Sequence, residues 1–152
     1  MKKTSLVVTL LLVLAVGFTL PASSAVQIDK ALVDAAEKTL STMPADFYQI
    51  DAAAAQQQIE NAKPFLLDVR ETAEMAKGKI AGSLNIPIRD LPKMIAKLPE
   101  NKTAPILTYC QIGYRGGMSV MILRMWGYTN VRTIKGGLDA WEKAGLPVAG
   151  KS

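Results

Sequence analysis

The sequence predicts an α/β fold of three layers, with a mainly parallel central sheet flanked by helices. Three observations predict it. Strand-like and helix-like stretches alternate through most of the chain, the pattern of parallel strands joined by crossover helices. Two apolar runs, 64–70 and 105–109, turn polar only near their ends, as expected of strands covered on both faces. Prolines and glycines punctuate the junctions, at Pro44, Gly78, Gly127 and Gly136-Gly137.

The predicted elements begin with a helix over Ile28 to Leu40. Apolar or alanine positions recur there at helical spacing, Asp29 can cap the start and Pro44 lies beyond the end. A short strand is predicted over Phe47 to Ile50, and Asp51 is expected to cap an alanine- and glutamine-rich helix reaching about Asn61. A buried strand over Pro64 to Arg70 precedes a short predicted helix, Glu71 to Lys77, closed by Gly78. Gly82, Asn85 and Pro87 make Ile80 to Ile88 a turn with a short strand. Asp90 to Leu98 is predicted helical, with Leu91, Met94, Ile95 and Leu98 on one face. The strand over Pro105 to Tyr109 leads to a predicted helix, Gly117 to Trp126, with Gly127 as C-cap. A strand over Val131 to Ile134 follows, and Gly136-Gly137 open a last helix through Trp141 to about Ala144. Met118, Met121 and Met125 share a helical face and read as adaptable core packing.

The chain has 152 residues and a formal charge of +5. Lys2 and Lys3, the apolar stretch Leu6 to Leu20 and the small residues of Pro21 to Ala25 form the three parts of a secretory signal. That stretch is short for a membrane span, which needs ~20 apolar residues. Residues 1–25 are therefore expected to be a cleaved signal, and the protein to be exported, periplasmic or extracellular. A membrane partner is expected only if the signal stays uncleaved. Residues 26–45 read as a helical extension and 46–150 as one folded domain. The charge is dispersed, with no basic run and no aromatic-interleaved basic patch, so no nucleic-acid partner is expected.

The chain contains no histidine and one cysteine, Cys110. This excludes Ser-His-Asp and Cys-His nucleophile systems within the chain, along with thiolate or imidazole metal sites. No cofactor or metal is expected. A lone thiol in an oxidising compartment is either buried and inert or kept for chemistry. Its surroundings favour chemistry. Cys110 follows a strand-like run and opens Cys110-Gln111-Ile112-Gly113-Tyr114-Arg115 before a helix-like run. A sharp strand-to-helix turn gathers backbone N–H groups into a concavity that binds anions. The helix N-terminus adds partial positive charge, and Arg115 adds a fixed cation with a planar donor fork. Gly113, Gly116 and Gly117 are expected to ease the turn. Together these favour the thiolate, which is the nucleophile.

On these residues the chain resembles the single-domain rhodaneses, a family of sulfurtransferases, over roughly Tyr48 to Val148. Leu67-Asp68-Val69-Arg70-Glu71 resembles the family's Asp-Val-Arg segment. Gly78 to Pro87 resembles its Gly-His-Ile-x-Gly-Ala-x-Asn-Ile-Pro segment, Cys110 to Arg115 its active-site loop, and Gly127 to Val131 with Gly136 to Trp141 its closing motifs. The resemblance implies a rhodanese-like domain over 46–150. Cys110 would take sulfur from a small anionic donor such as thiosulfate, becoming a persulfide, and pass it to cyanide or a thiol. It implies catalytic roles for Cys110 and Arg115, a persulfide cradle of Gln111, Ile112, Gly113, Tyr114 and Arg115, and loop support from Asp68 and Arg70. Three departures stand out. Lys79 replaces the usual histidine. Gly116 stands where many members have serine, so a hydroxyl contact to the loop is missing. Gln111 stands where thiosulfate-preferring members often carry a basic residue.

Two rival functions remain. A cysteine phosphatase or arsenate reductase on the same fold needs a wider loop, with the arginine one position further from the cysteine. The five-position gap from Cys110 to Arg115 disfavours it. A sulfur carrier serving a protein acceptor is the other, with the Ile28 to Leu40 helix as a docking element; the simpler expectation is that this helix packs on its own domain.

Overall fold

The computed structural model describes residues 28–151. The predicted signal, 1–25, lies outside them. Among the described residues seven strands form: β1 (Gln49–Ile50), β2 (Phe65–Asp68), β3 (Lys77–Lys79), β4 (Leu84–Asn85), β5 (Ile106–Tyr109), β6 (Val131–Ile134) and β7 (Ala149–Lys151). The helices are α1 (Lys30–Ser41), α2 (Ala52–Ala62), α3 (Tyr114–Met125) and α4 (Gly137–Lys143). Five strands make one parallel sheet in the order β1-β6-β5-β2-β4, and β3 pairs with β7 antiparallel. The α/β class and the parallel sheet are as predicted.

Successive strand residues point to opposite faces, so the central strands feed two cores. Leu67, Val69 and Ile106 pack with Val120 and Leu123 of α3. Leu66, Leu107 and Tyr109 pack with Ala52 and Ala55 of α2 and with Leu138 and Trp141 of α4. Helices thus cover both faces, which gives the three layers. Each wholly buried leucine or isoleucine here contributes about 1.5–3 kcal/mol. This two-sided burial explains why β2 and β5 read as continuous apolar runs.

α1 lies against α3, capped by Asp29, whose carboxylate accepts the Ala31 N–H at 2.8 Å. Thr39 is buried, while Ile28, Leu32, Val33 and Leu40 face outward. The helix does pack on its own domain, with a thin contact.

Several expectations are corrected. Phe47 and Tyr48 have φ of 52° and 58°, so β1 keeps only Gln49–Ile50. Asp51 makes no side-chain capping bond. The segment after Arg70 is a 3₁₀ turn over Thr72–Ala76, and Gly78 belongs to β3. Residues Leu91–Lys97 form a 3₁₀ segment broken at Met94, leaving Met94 and Ile95 exposed while Leu91 and Leu98 are buried. Pro92 near the start and the short length favour this tighter winding. Met118 is exposed, so the methionine face is not all core. The pair β3–β7 was not predicted, because three-residue strands carry too little periodicity to read.

Candidate active site

Three neighbouring strands end side by side at the site, with β5 between β2 and β6. Parallel strands present their carboxyl ends on one edge, where the chain leaves the sheet and ligands bind. Cys110 leaves β5, Val69 and Arg70 leave β2, and Gly136-Gly137 leave β6.

The chain passes from Cys110 into α3 at Tyr114. Gly113 permits this, with φ of 99°, a region strained for any residue bearing a Cβ. The Gly113 amide donates to Cys110 Sγ at 3.2 Å. The buried thiol therefore sits at the amino end of α3, where helix amides lack carbonyl partners and carry partial positive charge.

From the β6 side, α4 shapes the loop. The Leu138 amide donates to the Cys110 carbonyl at 2.8 Å, and the Asp139 amide to the Gln111 carbonyl at 3.0 Å. In a trans peptide the N–H opposes the C=O. Drawing these two carbonyls toward α4 turns the amides of Gln111 and Ile112 the other way, into the loop. Only glycine fits at 137: φ is 63°, and a Cβ there would stand 2.3 Å from the Cys110 oxygen and 2.7 Å from that of Gln111.

From the β2 side, Asp68 and Arg70 form a wholly buried ion pair. Arg70 Nε lies 3.0 and 2.9 Å from the two Asp68 oxygens, and Nη2 is 2.6 Å from Oδ2. Its remaining donors reach the carbonyls of Gly78 (2.8 Å) and Glu74 (3.3 Å) and Gln111 Oε1 (3.2 Å). Burial opposes the Arg70 charge, Asp68 outweighs it, and the guanidinium pKa is raised. Gln111 Nε2 donates in turn to the Asp139 carboxylate. The Gln111 side chain is thus strung from Arg70 to α4. Beneath it, burial pushes the Tyr109 phenol up, and its oxygen takes the Ile80 amide at 3.1 Å.

Arg115 is already engaged. Its two Nη atoms meet the Glu74 carboxylate at 2.5 and 2.8 Å. That hydrogen bonding holds the Glu74 carboxyl at about 2 and raises the Arg115 pKa, with Cys110 adding a smaller attraction. Glu74 also accepts the Glu71 N–H at 2.9 Å, closing a reciprocal cap on the 3₁₀ turn.

The structure brings Cys110, Gln111, Gly113, Arg115, Asp68 and Arg70 together around the loop. The side chains of Ile112 and Tyr114 do not join them. They are 54% and 78% exposed and, with Met118, rim a cavity of about 330 Å³ beside the loop. Gly116 and Gly117 lie within α3, so Gly113 alone eases the turn. Gly116 has a packing reason: a Cβ there would stand 2.3 Å from Thr133 Oγ1, so that hydroxyl fills the space a serine would need. Glu74, Asp139 and the role of Gly137 were missed. The Glu71-x-x-Glu74 spacing of a reciprocal cap was the readable signal for the first. Asp139, an acid in the first turn of α4, was a weaker one.

Residues 51–144 match the family model described as Rhodanese-like domain. A protein of Allochromatium vinosum named sulfurtransferase is 31% identical over 101 residues, 66% of this chain and 92% of that protein. The thiosulfate:glutathione sulfurtransferase of Homo sapiens is 32% identical over 88 residues, 50% of this chain and 76% of that protein. The crystal structure of a rhodanese-related protein from Thermoplasma volcanium aligns with a TM-score of 0.61 at 33% identity, covering 68% of this chain and 98% of that one.

Proposed function

The chain belongs to the rhodanese-like domain family, and from that premise we propose that it is a sulfurtransferase whose Cys110 carries sulfur as a persulfide. The observation that carries the reading is the Gly113 N–H on Cys110 Sγ at 3.2 Å, at the start of α3. Backbone donors aimed at a sulfur stabilise negative charge there without reorganising, and no imidazole is required.

The donor is a small anion carrying a sulfane sulfur, and thiosulfate illustrates the chemistry. The Cys110 thiolate attacks its outer sulfur. The donor's S–S bond breaks, and its electron pair leaves with sulfite. The new S–S bond makes Cys110 a persulfide with the charge on the terminal sulfur, facing the amides of residues 111–115. Cyanide or a thiolate then attacks that terminal sulfur. The Cys110 thiolate departs with the bonding pair, and thiocyanate or a hydropersulfide forms. Neither step needs an oxidant or a cofactor. Arg115 holds the donor's oxygens, while Asp68 and Arg70 keep Gln111 and the loop in place. Export to the periplasm or beyond belongs to the same proposal and rests on residues 1–25 alone.

Thiocyanate formation from cyanide, assayed with thiosulfate, mercaptopyruvate and polysulfide, tests this. Turnover with at least one donor that vanishes in Cys110→Ser supports it; no turnover with any of them contradicts it.

The exposed apolar rim of Ile112, Tyr114 and Met118 favours a second reading, a carrier that hands its sulfur to a protein. A carrier forms the persulfide yet transfers it slowly to cyanide and small thiols, so single-turnover rates separate the two.

A further inference from the structure

The loop holds one cation, Arg115, and that cation is matched. Glu74 grips it through both Nη atoms at 2.5 and 2.8 Å, in a pair only 28% and 23% exposed. A two-pronged guanidinium–carboxylate pair is the strong form of this interaction. Glu74 is itself fixed, because the same oxygen that meets Arg115 at 2.5 Å also accepts the Glu71 amide. Its position is set by a backbone turn, and Arg70 holds that turn through the Glu74 carbonyl. The other nearby cation, Arg70, is consumed by Asp68. On the opposite flank the Asp139 carboxylate takes the Gln111 amide. A donor approaching Cys110 therefore meets amide dipoles, a neutralised arginine and a second carboxylate.

We propose that Glu74 is a specificity-determining residue: its carboxylate, fixed on Arg115, disfavours doubly charged sulfur donors relative to singly charged ones of the hydropersulfide class. This rests on the sulfurtransferase reading of the same loop. Glu74 takes two of the five Arg115 N–H donors, so an anion can still bind there. It must do so beside a fixed negative charge. Repulsion from one charge scales with the charge of the anion. Removing that charge must therefore help a dianion by the square of the factor by which it helps a monoanion.

The test uses anions that carry no transferable sulfur. Sulfate and methanesulfonate are titrated as protectants of Cys110 against iodoacetamide in wild type, Glu74→Gln and Glu74→Asp. Glutamine can keep the cap and one hydrogen bond to Arg115 while losing the charge. The half-protecting concentration of sulfate should fall about tenfold in Glu74→Gln and that of methanesulfonate about threefold. Glu74→Asp, which keeps the charge, should stay within about threefold of wild type for both anions. Equal shifts for the two anions, no shift for sulfate, or no protection in any of the proteins overturns the inference. Persulfide formation is followed separately by mass. If the anion shifts appear and no donor loads Cys110, the charge assignment stands and sulfur transfer falls. If Cys110 loads and the shifts are absent, the reverse holds.

Discussion

Gly137 lies against the carbonyl of Cys110 so closely that a single added carbon would stand 2.3 Å from its oxygen. The active loop is therefore packed onto α4 backbone to backbone, and the inward turn of its amides depends on that contact.

Gly137→Ala should break this arrangement. The alanine meets two carbonyls and must also hold a φ of 63°. The expected loss is more than about 2 kcal/mol of stability. Sulfur-transfer activity should fall further than stability explains, because the Leu138 and Asp139 amides can no longer draw the loop carbonyls outward. Urea denaturation with activity measured well below the transition checks both.

Gly116→Ser should destabilise the domain through the Thr133 hydroxyl, 2.3 Å from the new Cβ. The cost is expected to be about 1–3 kcal/mol. Thr133→Ala in the same chain should recover most of it by clearing the oxygen. A double variant as unstable as the single one would place the strain elsewhere.

Arg70→Met strands the buried Asp68 carboxylate and should cost about 3–5 kcal/mol. Replacing both partners, Asp68→Leu with Arg70→Met, should restore much of that stability. It should not restore activity, because Arg70 also anchors Gln111 and the carbonyls of Glu74 and Gly78. Activity that returns with stability would reduce the pair to a structural role.

Glu74 makes acid stability diagnostic. Its carboxyl lies at about 2 in the folded protein, against an ordinary 4.5. A depressed carboxyl contributes stability above its unfolded value and loses it as pH falls through the folded one. The contribution is therefore full above about pH 5 and fades from there toward pH 2. Water reaches the pair, so about 1–2 kcal/mol is expected. Glu74→Gln should be less stable than wild type at pH 7 and nearly equal to it near pH 2. Parallel curves would show that the carboxylate contributes nothing.

The strands of the central sheet were legible because two-sided burial leaves an unmistakable apolar run, as in β2 and β5. Cys110 and Arg115 were legible because a lone thiol before glycine and arginine sits where a strand becomes a helix. What stayed hidden depends on distance through space. Glu74 lies 41 residues from Arg115 and Asp139 28 from Gln111, so neither pairing has a local sequence pattern. Gly116 misled because glycine's two uses, freeing φ and making room, look alike in a sequence. The 3₁₀ segments misled because one turn of apolar spacing cannot tell 3.0 from 3.6 residues per turn.

Every role proposed for the loop requires that Cys110 itself carry the sulfur. Intact-mass measurement of the purified protein after brief exposure to thiosulfate or polysulfide tests it most directly. A gain of one sulfur atom in wild type, removed by cyanide and absent in Cys110→Ser, is expected. An unchanged wild-type mass with every donor, or an equal gain in Cys110→Ser, would contradict it.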